Sequence, residues 1–332
     1  MRGKLDQFQK ILLGVIVLYS IFVTIKNPAF FSMETLFDLI RTSSASMIVA
    51  IGLLVVMISG GIDVSFMAVA LFGSYTTINL MISLGINSLV FAFGFSALLG
   101  LLLGLVNALL INWLKLPTFI ITLGTQNLFH GIMTTFISDK SFGAGVLPSC
   151  LHGFGQAVLL KLPTENGSTA LTVSLIPVAL AGILTWFLLY HTMIGRGIVA
   201  IGNDEEAARR AGFRPFFLRL FVYGYFGILS GVMGIVYTAQ NNALYPNKLV
   251  GDELMVVAAV VIGGTKITGG QGKILGAVLG TAIIYLLNST LILIGLSSSW
   301  NNLFVGAILV ISVAVTSYQE RIKNRNHLIF TE

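Results

Sequence analysis

Charge is what this sequence has least of. Asp, Glu, Lys and Arg make up only 10% of its 332 residues, where a soluble domain carries about a quarter. A chain this poor in charge cannot cover a water-facing surface of the size its length requires, which excludes an ordinary soluble globular fold. Cysteine occurs once, at Cys150, so no intrachain disulfide can form. One Cys and 4 His supply no metal-ligand cluster, and no Ser/His/Asp or Cys/His grouping falls within an apolar stretch. A membrane-embedded enzyme is thereby disfavoured. The net charge of +6 is not a nucleic-acid footprint, because the basic residues sit in connections between apolar runs.

The chain has apolar runs in abundance. It is 56% hydrophobic, with a mean hydropathy of +0.93, and runs of roughly 18 residues recur, each able to cross about 30 Å of hydrocarbon. They predict an all-α, polytopic membrane protein with about ten spans: 11–25, 45–59, 64–83, 88–112, 118–137, 170–190, 216–239, 252–262, 274–294 and 300–316. The first run is followed by Lys26, Asn27 and Pro28 rather than a cleavage site, so it is expected to remain as a span. Placing both termini in the cytosol puts Lys115, the 195–215 segment, Lys266, Lys273 and the basic tail (Arg321, Lys323, Arg325) inside, as the positive-inside rule requires. The polar, turn-rich 138–168 segment then falls outside. All 332 residues read as one transmembrane domain. A short repeat relates 55–73 to 259–280, each running from Ile-x-Gly-Gly or Ile-Gly-Gly into a Gly/Ala-rich span. Both loops fall on one side, so the repeat would be parallel.

The longest polar interruption is GRGIVAIGNDEEAARRAG, residues 195–212. Asn203 or Asp204 can cap a short helix. Glu205 and Glu206 occupy the first turn and Arg209 and Arg210 the last, as the helix dipole favours. Gly212 stands at the left-handed C′ position, and Pro215 blocks continuation. Ala207, Ala208 and Ala211 offer a small-residue face to a partner. An ordinary solvated loop helix would have the same charges.

Asp63, in ISGGIDVS, is an acid close to two apolar runs, where a carboxylate is expensive and must have a task. It could cap the third span, line a path or carry a proton. The glycines of GGTKITGGQGK (263–273) lack the Lys-Ser/Thr ending of a phosphate-binding loop and read instead as tight turns or an interrupted helix. Asn107, Thr122, Gln126, Asn127, Tyr237, Gln240 and Asn288 lie within or at the ends of spans. Together with Asp63 they are the candidates for contact with a hydroxylated solute, although such residues more often bond helix to helix. His130 is a lone His on an apolar run and reads as packed, and Trp113, Trp300 and Tyr318 stand near span ends as interfacial aromatics do.

Four blocks, 58–65 (ISGGIDVS), 107–124 (NALLINWLKLPTFIITLG), 195–212 and 257–280 (VAAVVIGGTKITGGQGKILGAVLG), together resemble the permease subunit of ribose-type ATP-binding-cassette sugar importers. The likeness runs over nearly the whole chain. It implies a bacterial inner-membrane permease working as a dimer, with a second copy or a paralogue, surrounded by membrane lipid. It further implies a cytosolic ATPase that binds ATP and Mg, so that this chain needs no cofactor, and an extracytoplasmic sugar-binding protein. The segment from Arg196 through Asn203 to Gly212 would be the coupling element seated in the ATPase. The rival reading is a secondary transporter driven by an ion gradient, with Asp63 as its ion or proton site.

Overall fold

The computed structural model describes residues 7–164 and 167–297, together with 300, 303, 304, 306, 307 and 310. It is a helical bundle with one small hairpin. Helices α1 (Gln7–Lys26), α2 (Met33–Ile58), α3 (Phe66–Leu84), α4 (Leu89–Leu114), α10 (Pro215–Asn241) and α12 (Ile274–Leu293) are each long and apolar enough to cross a membrane. α5 (Thr118–Ile132) continues through a π-turn to Ile137, which reproduces the predicted run 118–137. α7 (Leu175–His191) bends by 77° into α8 (Met193–Asn203). The short helices are α6 (Ser149–Gln156), α9 (Glu205–Arg210) and α11 (Glu253–Ile262).

Several boundaries differ from the sequence reading for identifiable reasons. The second span does not begin at 45. α2 starts at Met33, where the Ser32 hydroxyl accepts from the Thr35 amide, and the Asp38–Arg41 pair lies within the helix. The predicted 252–262 span is a helix of 10 residues, about 15 Å long and too short to cross. The 138–168 segment is more ordered than its turn-rich composition suggests. It carries α6 and the first strand of an antiparallel hairpin, β1 (Val158–Thr164) with β2 (Gly167–Thr172). The Asn87 side chain secures α6 by donating to Ser149 Oγ and accepting from the Cys150 amide, both at 2.8 Å. β2 also takes the first residues of the run read as a span from 170. Most of 300–316, with the tail beyond it, lies outside the described residues.

α2 forms the middle of the bundle. It is buried almost continuously from Ser43 to Ile58 and touches α7, α8, α10, α11, α12 and β2. The most intimate pair is α4 with α10. Lipid tails are as apolar as leucine, so helices in a bilayer gain little by hiding apolar side chains from lipid and rely on close packing. Here Ser96, Gly100 and Gly104 of α4 face Tyr223, Gly227 and Gly231 of α10 at backbone distance. A Cβ at Gly100 would fall on the Gly227 carbonyl, and one at Gly227 on the Gly100 carbonyl. Ser96 Oγ donates to the Gly231 carbonyl at 2.8 Å.

Gly227→Leu should therefore force α4 from α10 and lower stability by about 1–3 kcal/mol. Detergent-titration unfolding of the purified chain measures this, with Gly94→Leu, at a position open around its α-carbon, as the neutral control.

Candidate functional site: the capped helix and the loops it meets

The predicted cap is present, and Asp204 rather than Asn203 makes it. Its Oδ1 accepts from the amides of Glu206 and Ala207, both at 2.9 Å. Asn203 instead ends α8, turning its amide back to the Val199 carbonyl. The helix pairs Glu205 with Arg209 and Glu206 with Arg210 at i,i+4, largely in solvent, and each pair contributes about 0.3–0.5 kcal/mol. Gly212 takes a positive φ of 90°, and the Phe213 amide closes the turn on the Ala208 carbonyl. The stop is the one the residues imply.

Two features of this segment differ from the sequence reading. Residues 195–203 are not an open connection but most of α8, whose face of Gly195, Gly197, Ile198 and Ile201 is buried. Of the three alanines, Ala208 is buried in this chain's own core, while Ala207 and Ala211 are exposed beside Glu206, Arg209 and Arg210. α9 is also fastened to the bundle. Glu205 pairs with Arg219 of α10, and Arg219 donates to Asn112 of α4 at 3.3 Å. Sequence reasoning passed over Arg219 and Asn112. A signal was there: Arg219 is the only charged residue in the run 216–239, and an isolated cation in an apolar run must have a partner.

Behind α9, the end of α8 touches both repeat-related loops. The Gly270 amide donates to the Ile58 carbonyl at 2.8 Å, joining the 263–273 loop to the end of α2. Gly202 lies between them, so close that a Cβ there would fall on the Ile58 carbonyl. A Cβ at Gly269 would in turn meet the Gly202 carbonyl and the Gly60 backbone. Three backbones thus meet without intervening side chains. Arg196 stays on the exposed side of α8.

Asp63 serves the neighbouring loop. Its Oδ1 accepts from the Ser65 amide and the Ser65 hydroxyl, both at 2.7 Å, which closes a turn before α3 rather than capping that helix's first amides. Asn107 donates to Ser65 Oγ at 2.7 Å. Thr118 and Thr122 of α5 accept from the amides of Ile62 and Val64. Burial in this connection between spans raises the Asp63 carboxyl to about 6, against the bonds from Ser65 and Asn107 that lower it. Asp63, Asn107 and Thr122 are thus together, and all three are buried.

The remaining solute candidates are dispersed. Gln126 donates to Glu253 at 2.7 Å in the interior. Gln240 bonds the Arg41 carbonyl at 2.7 Å, and Asn288 contacts Met255 Sδ at 3.9 Å. Tyr237 lines a small cavity with Ser46, Asp252 and Tyr285. Asn127 lies on the exposed face of α5. His130 Nε2 donates to the Pro246 carbonyl, 3.0 Å away, as a packed histidine would.

Residues 35–313 match the family described as the permease component of the branched-chain amino acid transport system. The chain belongs to this permease family. The permease is 30% identical over 318 residues to the ribose import permease protein of Escherichia coli (strain K12), covering 94% of each chain. It is 32% identical over 309 residues to the ribose import permease protein of Bacillus subtilis (strain 168), covering 91% of this chain and 90% of the relative. The autoinducer 2 import system permease protein of Yersinia pseudotuberculosis (serotype O:3, strain YPIII) is 29% identical over 304 residues, 90% of this chain and 81% of its own. No solved structure matches it. The permease is a multi-pass membrane transport component, as its several apolar helices and its family agree.

The Ser65 turn separates two roles for Asp63. Asp63→Asn keeps an acceptor oxygen for both Ser65 donors and should leave transport within about twofold of the parent. Asp63→Leu strands those donors in the interior and should cost about 1–3 kcal/mol of stability. Uptake in proteoliposomes and thermal unfolding in detergent measure the two effects; loss of transport in a stable Asp63→Asn protein would mark a proton or ion site.

Proposed function

We propose that this chain is the membrane subunit of an ATP-driven importer, forming the path for a small neutral sugar or sugar-like solute. The observation that carries the reading is α9. It is capped by Asp204, anchored to the bundle through Glu205 and Arg219, and leaves Glu206, Ala207, Arg210 and Ala211 exposed. A helix held rigidly from within and uncovered outside suits transmission of a partner's movement. The names of the relatives, ribose and autoinducer 2 import permeases, supply the solute class and the importer type.

On this reading a cytosolic ATPase binds ATP with Mg and hydrolyses it, while this chain performs no covalent reaction and holds no cofactor. The ATPase seats on the segment from Arg196 to Gly212. An extracytoplasmic binding protein delivers solute to the 138–168 side, and a second copy or a paralogue completes the path. Both termini face the cytosol of a bacterial inner membrane, and the whole chain acts as one domain. Two arrangements of the spans open the path to alternate sides, and the ATPase biases between them. Asn127 and Tyr237 are the polar side chains best placed to meet solute; Asp63, Asn107 and Thr122 hold the loop that the movement would reach.

Co-purification from the native membrane tests the reading. The ATPase subunit should come down with the parent chain and fall at least tenfold with Glu206→Arg or Ala211→Trp, substitutions on the exposed face of the segment. Ala208→Trp is unsuitable because it would disrupt this chain's own core. Uptake in cells should survive an uncoupler and fail on ATP depletion. If no ATPase binds and the chain alone drives gradient-dependent uptake in liposomes, the carrier reading replaces this one.

A further inference from the structure

Beside α9 a cavity of about 1120 Å³ opens between the end of α4, the start of α5 and the turn into α10. Its wall holds four cations, Lys115, Arg209, Arg214 and Arg219, and one carboxylate, Glu205. Four less one leaves a charge of +3. Glu205 is shared by Arg209 and Arg219, whereas Lys115 and Arg214 are exposed and enter none of the ion pairs found among the described residues. Asp63 lies behind Tyr223, outside the lining.

Two further observations point to an occupant. Lys115 ends α4 at a φ of 54°, a left-handed conformation that glycine adopts at no cost. The sequence keeps a cation there despite the strain. Around these charges stand Leu116, Phe119, Phe216 and Phe217, all substantially exposed, with Phe217 at 59%.

We propose that this cavity binds the phosphate headgroup of an anionic membrane lipid, its acyl chains lying along Phe119, Phe216 and Phe217. A neutral solute has no use for four cations. A free inorganic anion has no use for the aromatic rim. A phosphodiester carried on hydrocarbon needs both, and basic clefts at span ends are where such headgroups gather. The uncommitted donors of Lys115 and Arg214 supply the bonds the phosphate oxygens require. The proposal rests on the chain lying in a membrane; Glu205 and Arg209 of its wall also belong to the segment on which the importer reading seats the ATPase, whereas Lys115 and Arg214 lie outside that segment.

Native mass spectrometry of the delipidated full-length chain, titrated with phosphatidylglycerol and with phosphatidylcholine of the same acyl chains, tests it. Phosphatidylglycerol should be retained preferentially. Lys115→Gln combined with Arg214→Gln should weaken it at least about tenfold, while Lys140→Gln, in the segment that follows the π-turn after α5, should leave it unchanged. Millimolar inorganic phosphate should not displace it. Equal retention of the two lipids, or an unaltered affinity in the double variant, overturns the proposal. So does displacement by phosphate alone, which would make this a free-anion site. Unchanged lipid binding with loss of a co-purifying protein would assign the cavity to a protein partner instead.

Discussion

Apolar side chains gain little by leaving lipid for the interior of a bundle, so a helical membrane protein holds together where its backbones come close enough for dispersion and polar contacts to accumulate. In this chain that constraint is met by glycine. α4 and α10 press Gly100 and Gly104 against Gly227 and the Tyr223 carbonyl, and α2 fills the space these helices enclose. The same device recurs at the end of α8, where Gly202, Gly60 and Gly269 bring three segments into backbone contact. A methyl group at Gly100, Gly104, Gly227, Gly202 or Gly269 would separate elements whose relative positions define the bundle.

That second contact links the candidate coupling helix to the spans. α9 is six residues long and could not hold its own position in water. It is placed by α8 at one end, by α10 at the other, and by the Glu205–Arg219 pair between them. A push on α9 therefore reaches the loop after α2 through Gly202 and the loop after α11 through Gly269 and Gly270. These are the two loops that carry the Ile-x-Gly-Gly and Ile-Gly-Gly sequences. With so few side chains in between, little of a displacement can be absorbed by rotamer changes. The physical warrant is contact, and a transport cycle would require each contact to have a second arrangement.

The polar residues of the interior divide along similar lines. Ser65, Asp63, Asn107, Thr118 and Thr122 form one connected set that fixes the loop between α2 and α3. Gln126, Glu253 and the Gly251 amide form another at the far end of α5. Each satisfies groups that would be costly if left alone in a low-dielectric interior. Asn107 Oδ1 alone is left without a partner in the first set; the other bonds hold helices at a chosen separation, and that is a sufficient reason for polar residues in apolar runs.

Features set by local chemistry were legible from the sequence. Hydrophobic run length located nearly all the long helices, and run 118–137 was matched to the residue, because hydrocarbon thickness imposes length on any span. The α9 cap, its charge order and the Gly212 stop followed from side-chain and backbone preferences acting within one turn. Four motif blocks in order sufficed for the family. The tertiary structure decided what depends on residues far apart in the chain. That Ala208 faces inward and Ala211 outward, that Arg219 reaches Glu205, that Asp63 serves Ser65, and that Gly202 lies between two loops some 200 residues apart in numbering are matters of packing. Periodicity carries no information about them, since a glycine reads the same whether it faces lipid or a carbonyl.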